Sequence, residues 1–327
     1  TGTGSTLTKS GVGTLVLNQN NTFAGATTAT GGGTLVLDYT TNNGSKLSDT
    51  AGLTLSGGAL VLKGGVGAGA NHSEVVGSTT LATYTSNSLS RDGGTSTISL
   101  GALSLGINSS LAISEANLAT TTSANVNGIL LLGRVTVGSH FGSNDGSGNI
   151  VEYSGYTTAT TAGGGSASVV NQLTGGGTMA ATLSSYALRI ANNANSNILD
   201  LANNNLSLSS AANNSTLLYA GGFDNQYTIN GTGFITQAAG NQPFVINTYT
   251  GTNLTVNARL GSNGAPVSKA GKGTLVVGAD NSNNGLGVSM STFYAQEGVT
   301  RLTNSNALGT TAAGTIVLGG AALELAN

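Results

Sequence analysis

The chain has 327 residues, among them 52 Gly and 2 Pro, with no Cys or Trp; 7% are charged, and the net charge is −2 with an isoelectric point near 5.5. Scarce helix formers and abundant turn formers argue against long helices, and an acidic balance without a basic stripe argues against nucleic acid as a partner. A hydrophobic fraction of 38%, much of it Ala, suits an elongated body whose narrow core takes one side chain in two.

In chain order the first element is LTKSGVGTLVL over 7–17, which predicts a tight turn at Gly11 and Gly13 and a strand over Thr14 to Leu17. The turn is expected at a coil corner where a Cβ would clash, with Lys9 on the outside. A phosphate-binding loop would need lysine directly before Ser or Thr, or a three-glycine turn into a helix; Lys9 precedes its glycines and strand follows them. Next come Asn20-Asn21-Thr22-Phe23, a strand over Gly33 to Leu37, and the paired segments ending in Leu53/Leu55 and Leu60/Leu62. Similar aliphatic-x-aliphatic triplets continue through Leu103/Leu105, Val135/Val137, Leu206/Leu208 and Leu254/Val256, a period of two that predicts half-buried strands. Clusters such as Asn42-Asn43-Gly44, Gly163-Gly164-Gly165 and Asn203-Asn204-Asn205 separate them as turns. His72, beside Ser73 and Glu74, has no nucleophile elbow near it and reads as a loop histidine. The stretch from His140 and Phe141 to Asp145 and Gly146 forms a turn with an imidazole, an aromatic ring and one carboxylate, too little oxygen charge for calcium.

At 267–277 the sequence VSKAGKGTLVV repeats the opening module, with Lys269, Gly271 and Gly273 in the places of Lys9, Gly11 and Gly13. The echo extends through Asn281-Ser282-Asn283, Gly298 to Leu302, Leu308 to Leu318 and Ala321 to Leu325. Repetition of this kind marks stacked architectures, in which each unit buries its apolar face on the next. The expected fold is therefore all-β, a parallel β-helix of about 20 residues per coil and roughly 75 Å in length, in preference to a sandwich or propeller. One elongated body is expected over 1–327, with repeat modules at 7–63 and 267–327 and divergent coils over 64–266.

The run from Leu7 to Leu17, continued by Asn20-Asn21-Thr22-Phe23 and Ala24-Gly25-Ala26-Thr27-Thr28, closely resembles the passenger-associated β-strand repeat of bacterial autotransporters. The second copy departs from that repeat only in its Asn-rich turn. The middle of the chain, around Asn127 to Leu130, Arg134 to Gly138 and Tyr153 to Thr158, is similar to segments of large bacterial β-strand-repeat surface proteins. The resemblance implies a right-handed parallel β-helix exported to the cell surface, outside the cell or attached to its outer membrane; it implies no activity.

The 12 acidic residues are dispersed, without a D-x-D, D-D or E-x-E pair, so the chain is expected to be no enzyme and to need no cofactor or metal. The start, TGTGSTLTKS, is not a secretion signal, and the longest aliphatic run, Ile129 to Leu132, is too short to span a bilayer, so the chain is expected to be a piece of a longer exported protein. Two functions stand. One is a structural stalk or filament whose partners are copies of itself end to end or flanking parts of a longer chain. The other is an adhesin-type module in which an exposed patch of His140, Phe141, Asp145, Tyr153 and Tyr156 recognises a glycan or a protein. Tyrosines lining an exposed groove would favour the second, and tyrosines packed over a coil edge the first.

Overall fold

The computed structural model describes residues 4–192, 197–208, 216–222, 225–237, 243–262, 264–282 and 290–326. Most of its strands run three to five residues, because Gly, Asn and Ser clusters cut each aliphatic triplet on both sides. The triplets stack in parallel register: Leu15 lies on Leu35, Leu35 on Leu60, Leu60 on Leu89, Leu89 on Ile113 and Ile113 on Val137. Leu35, Leu60, Leu89, Ile113 and Val137 are buried, and each such side chain contributes about 1.5–3 kcal/mol of hydrophobic stabilisation. The product is a parallel β-solenoid of about 12 turns. Its coils are uneven. The step from Leu60 to Leu89 is longer than that from Leu15 to Leu35, because loops at the corners absorb extra residues without disturbing the ladders.

These turns form two columns, not one. Among the described residues, strands from Leu7–Lys9 to Ile150–Glu152 pair only among themselves, in sheets of five, three and eight strands, while those from Thr157–Ala159 onward build sheets of eleven and seven. The one break in strand pairing among the described residues thus falls between Glu152 and Thr157. The ladders run unbroken across residue 63, where Lys63 pairs with Asp38 and Asp92, and on into the second repeat, where Phe244 pairs with Val267. The expected module boundaries are therefore repeats of sequence inside continuous arms.

The arms lie side by side and run in opposite directions. A Cβ on Gly32 would come within 2.8 Å of the Gly319 carbonyl carbon, and the rings of Tyr84 and Tyr294 stack at 3.9 Å. Ser86 donates to Glu297 Oε2 at 2.8 Å, Asn108 Nδ2 to Ser268 Oγ at 2.8 Å, and Arg189 Nε to the Ser139 carbonyl at 2.8 Å. Partner numbers fall as the first arm's numbers rise, so the first and last coils share one end of the molecule. The expected single column of about 75 Å is corrected accordingly. Two polar residues carry left-handed backbone at the seam, Tyr84 at φ 58° and Asn108 at φ 50°; the stack and the amide bond just described hold them there.

The far end of the first arm is closed by antiparallel pairing. Val135–Val137 pairs with His140–Asn144, and that strand with Ile150–Glu152. A third cluster, Ile129, Phe141, Val170, Tyr186, Ala187, Leu218 and Ala220, joins the arms there, distinct from the core inside each column.

Candidate functional site

Lys9 and Lys269 occupy inward-facing columns, contrary to the expectation that Lys9 points outward. Lys9 stacks on Ala29 and Ala29 on Leu55; Lys269 lies between Ile246 and Ala295. The reason is the corner that follows each lysine. Tight glycine turns aim their carbonyls into the column, where water does not reach, and an ammonium supplies up to three donors. Lys9 Nζ donates to the carbonyls of Ser10 at 3.0 Å and Gly11 at 2.6 Å. Lys269 Nζ, with no exposed surface, donates to those of Gly271, Gly273 at 2.7 Å and Glu297 at 2.7 Å. In the neighbouring coil stands Gly33 or Gly298, where a Cβ would run into the amine. The repeated lysine and glycines are thus one device, an inward amine that ties the carbonyls of the corner following it and, at Lys269, also reaches the Glu297 carbonyl of the next coil. Burial pulls the Lys269 amine down to about 7, against the opposing pull of the Glu297 carboxylate.

The glycines differ between the copies. A Cβ on Gly271 or Gly273 would strike the backbone oxygens of Thr248, Tyr249 or Thr252 in the adjoining coil, as expected. A Cβ on Gly11 or Gly13 meets nothing within 4 Å, because no coil of the described chain lies on that side. The expected clash at the first copy is thereby corrected, although Gly11 still needs its positive φ of 73°. Asn283, placed by the sequence in the second copy's Asn-rich turn, lies outside the described residues.

A second charged clamp escaped the sequence reading. Glu74, fully buried, accepts from Tyr39 Oη at 2.5 Å, Ser45 Oγ at 2.7 Å, Lys46 N at 2.9 Å and Leu47 N at 3.2 Å. Lys46 Nζ donates to the carbonyls of Asn42 at 2.8 Å and Gly44 at 3.0 Å, and His72 packs at 5.4 Å from the Tyr39 ring. Burial, reinforced by the Glu74 charge, pushes the Tyr39 phenol up. A Tyr-Glu-Lys-His group could serve acid-base chemistry if a substrate reached it. Here Tyr39, Lys46 and Glu74 have no exposed surface, and their bonds fasten the loop around Asn42 to Leu47 onto the column.

The aromatic residues singled out by sequence do come together, but as packing and not as an exposed patch. Phe141 is fully buried, and its N–H donates to Tyr156 Oη at 3.0 Å. Tyr156 lies 4.9 Å edge-on from Tyr153, 5.9 Å from His140 and 6.2 Å from Phe141. Arg189, from the second arm, covers Tyr156 at 5.4 Å, a partner no sequence spacing suggested. Burial lifts the Tyr156 phenol to about 12 and lowers His140, with Arg189 adding to the latter. Asp145 serves its own turn, accepting from Ser147 N at 2.8 Å, Asn149 Nδ2 at 2.8 Å and Asn149 N at 3.1 Å. The tyrosines are therefore packed over the coil edge where the arms join.

An open groove lies elsewhere along the seam, between Ser90, Ser114 and Thr136 of the first arm and Tyr249, Lys272 and Glu297 of the second. Among the described residues no cluster of three or more His, Cys, Asp or Glu side chains could hold a metal ion, and no helix is long and apolar enough to cross a membrane. Comparison of the chain with protein-family models, curated proteins and solved structures finds no match.

Proposed function

We propose that the chain is a structural, non-catalytic segment of an exported bacterial surface protein, of the passenger, stalk or filament kind that the Leu7 to Leu17 module resembles. One observation carries this reading: the buried charged side chains hold backbone in place. Lys9, Lys46 and Lys269 tie corner carbonyls, Glu74 gathers the N–H groups of a loop, Arg134 Nη1 donates to the Gly106 carbonyl at 2.7 Å, and Arg189 spans the arms. A chain with 7% charged residues that commits so many of them to its scaffold leaves an outer face mostly of hydroxyls and amides, well hydrated and poor in protease sites. Its partners in this reading are the flanking parts of a longer chain, which would enter and leave on the same side because the first and last coils are neighbours. Antibody labelling of intact source cells, before and after protease shaving, tests the proposal. Labelling of intact cells that shaving removes is expected; labelling only after permeabilisation would overturn it.

A further inference from the structure

The groove between the arms encloses about 170 Å³, and its polar side chains lie where both arms reach it. At several other corners a hydroxyl is committed to backbone: Thr85 to the Ala82 carbonyl, Ser109 to that of Gly106, Thr121 to that of Gly101 and Thr252 to that of Tyr249. In the groove, among the described residues, no hydrogen bond engages the hydroxyls of Ser90, Ser114 and Thr136, the Tyr249 phenol or the Lys272 amine. Glu297 commits only Oε2, to Ser86. A wall of uncommitted donors and acceptors around one aromatic ring, that of Tyr249 at 38% exposure, is a surface built for a partner that carries hydroxyls of its own.

Three features narrow the partner. A flat C–H face can rest on the Tyr249 ring while edge hydroxyls meet Ser, Thr, Lys and Glu, which is the amphipathic division a pyranose ring presents. The lining holds one amine and one carboxylate, so it does not select for ligand charge of either sign. The first arm's wall is a ladder in which Ser88 lies on Ala112 and Ala112 on Thr136. Its strands are spaced about 4.8 Å apart, comparable to the rise of one sugar unit in an extended glycan. The geometry points to an inter-arm groove that binds an uncharged polysaccharide lengthwise, with one ring on Tyr249 and neighbouring hydroxyls on Ser90, Ser114, Lys272 and Glu297. This goes beyond the structural role and does not depend on where the protein resides.

Native gels cast with soluble uncharged polysaccharides (a β-glucan, an α-glucan, a mannan and a galactan), and with polygalacturonate as an acidic comparison, test it. Retardation by at least one uncharged polymer is expected, and Tyr249→Ala should weaken it by about tenfold or more, as loss of an aromatic anchor does. Ser114→Tyr, which fills the groove from the opposite wall, should weaken it likewise; both sites are exposed, and thermal melts confirm that the variants are folded. No retardation by any of the four, retardation unchanged in the folded variants, or retardation by polygalacturonate alone overturns the inference.

Discussion

Lys269 shows how one residue couples chemistry to stability in this fold. A neutral amine offers two donors to the three carbonyls of Gly271, Gly273 and Glu297, and the ammonium offers three, so hydrogen bonding favours the charge while burial opposes it. Burial prevails, and the folded amine titrates near 7 instead of 10.5. The sign follows from linkage: between those values the unfolded chain holds a proton that the folded chain lacks, so stability rises with pH through that window and is lost as pH falls toward 7. The limit is about 1.4 kcal/mol per pH unit. Lys269→Met keeps the apolar stem but leaves three buried carbonyls without a donor, and should lower stability by roughly 3–5 kcal/mol. Urea unfolding at pH 7.0, 8.0 and 9.0, below the range where free tyrosine ionises, checks both effects. Wild-type stability should climb relative to the Met variant as pH rises; parallel curves would show that the amine does not change its charge there.

At the scale of the coil, the same glycine has opposite consequences in the two copies. Gly273→Val places a side chain against the carbonyls of Tyr249 and Thr252 in the adjoining coil, while Gly13→Val meets open space at an ordinary backbone conformation. The first change should cost several kcal/mol through forced displacement of backbone, on the order of 3 or more, and the second less than about 1. Thermal melts of the two variants decide it, and similar losses would mean that crowding by a neighbouring coil is not what fixes these glycines. The contrast also shows what the sequence could reveal. The period-two triplets gave the parallel solenoid, because a strand buried on one face must write its register in alternate residues. The Lys-x-Gly-x-Gly spacing marked the corner. It did not reveal that Lys9 faces inward, since a lysine in a column of Ala and Leu makes sense only once the carbonyls of the turn are known to point there. Nor could it give Arg189 over Tyr156 or Ser86 against Glu297, because contacts between distant coils leave no periodic trace. The aromatic interval was legible as a cluster, but its burial depended on the second arm.

The arrangement of the whole molecule turns on a feature with no local signature, the reversal after Glu152. The antiparallel pairing of Val135–Val137, His140–Asn144 and Ile150–Glu152 covers the last coil of the first arm, so no further coil can stack there, and the chain must start a new column. Corners with little side-chain bulk then let the columns approach, as at Gly32 and Gly319, and polar pairs such as Asn108 with Ser268 set their relative height. The longest continuous ladder of the second arm, from Thr157–Ala159 to Gly314–Val317, has eight strands, which at about 4.8 Å per strand gives a body roughly 35 Å along the axis and two columns wide. A single unbroken column of 12 turns would instead exceed about 50 Å in length and be one column thick. Small-angle X-ray scattering separates them, because the paired arrangement gives a compact distance distribution whereas a rod gives a skewed one with a long tail. Asn108→Ala together with Tyr84→Ala removes the amide bond and the ring stack without touching either core, so it should loosen the seam and lengthen that distribution while the strand content seen by circular dichroism stays the same. A wild-type profile already skewed like a rod would refute the antiparallel pairing of the arms.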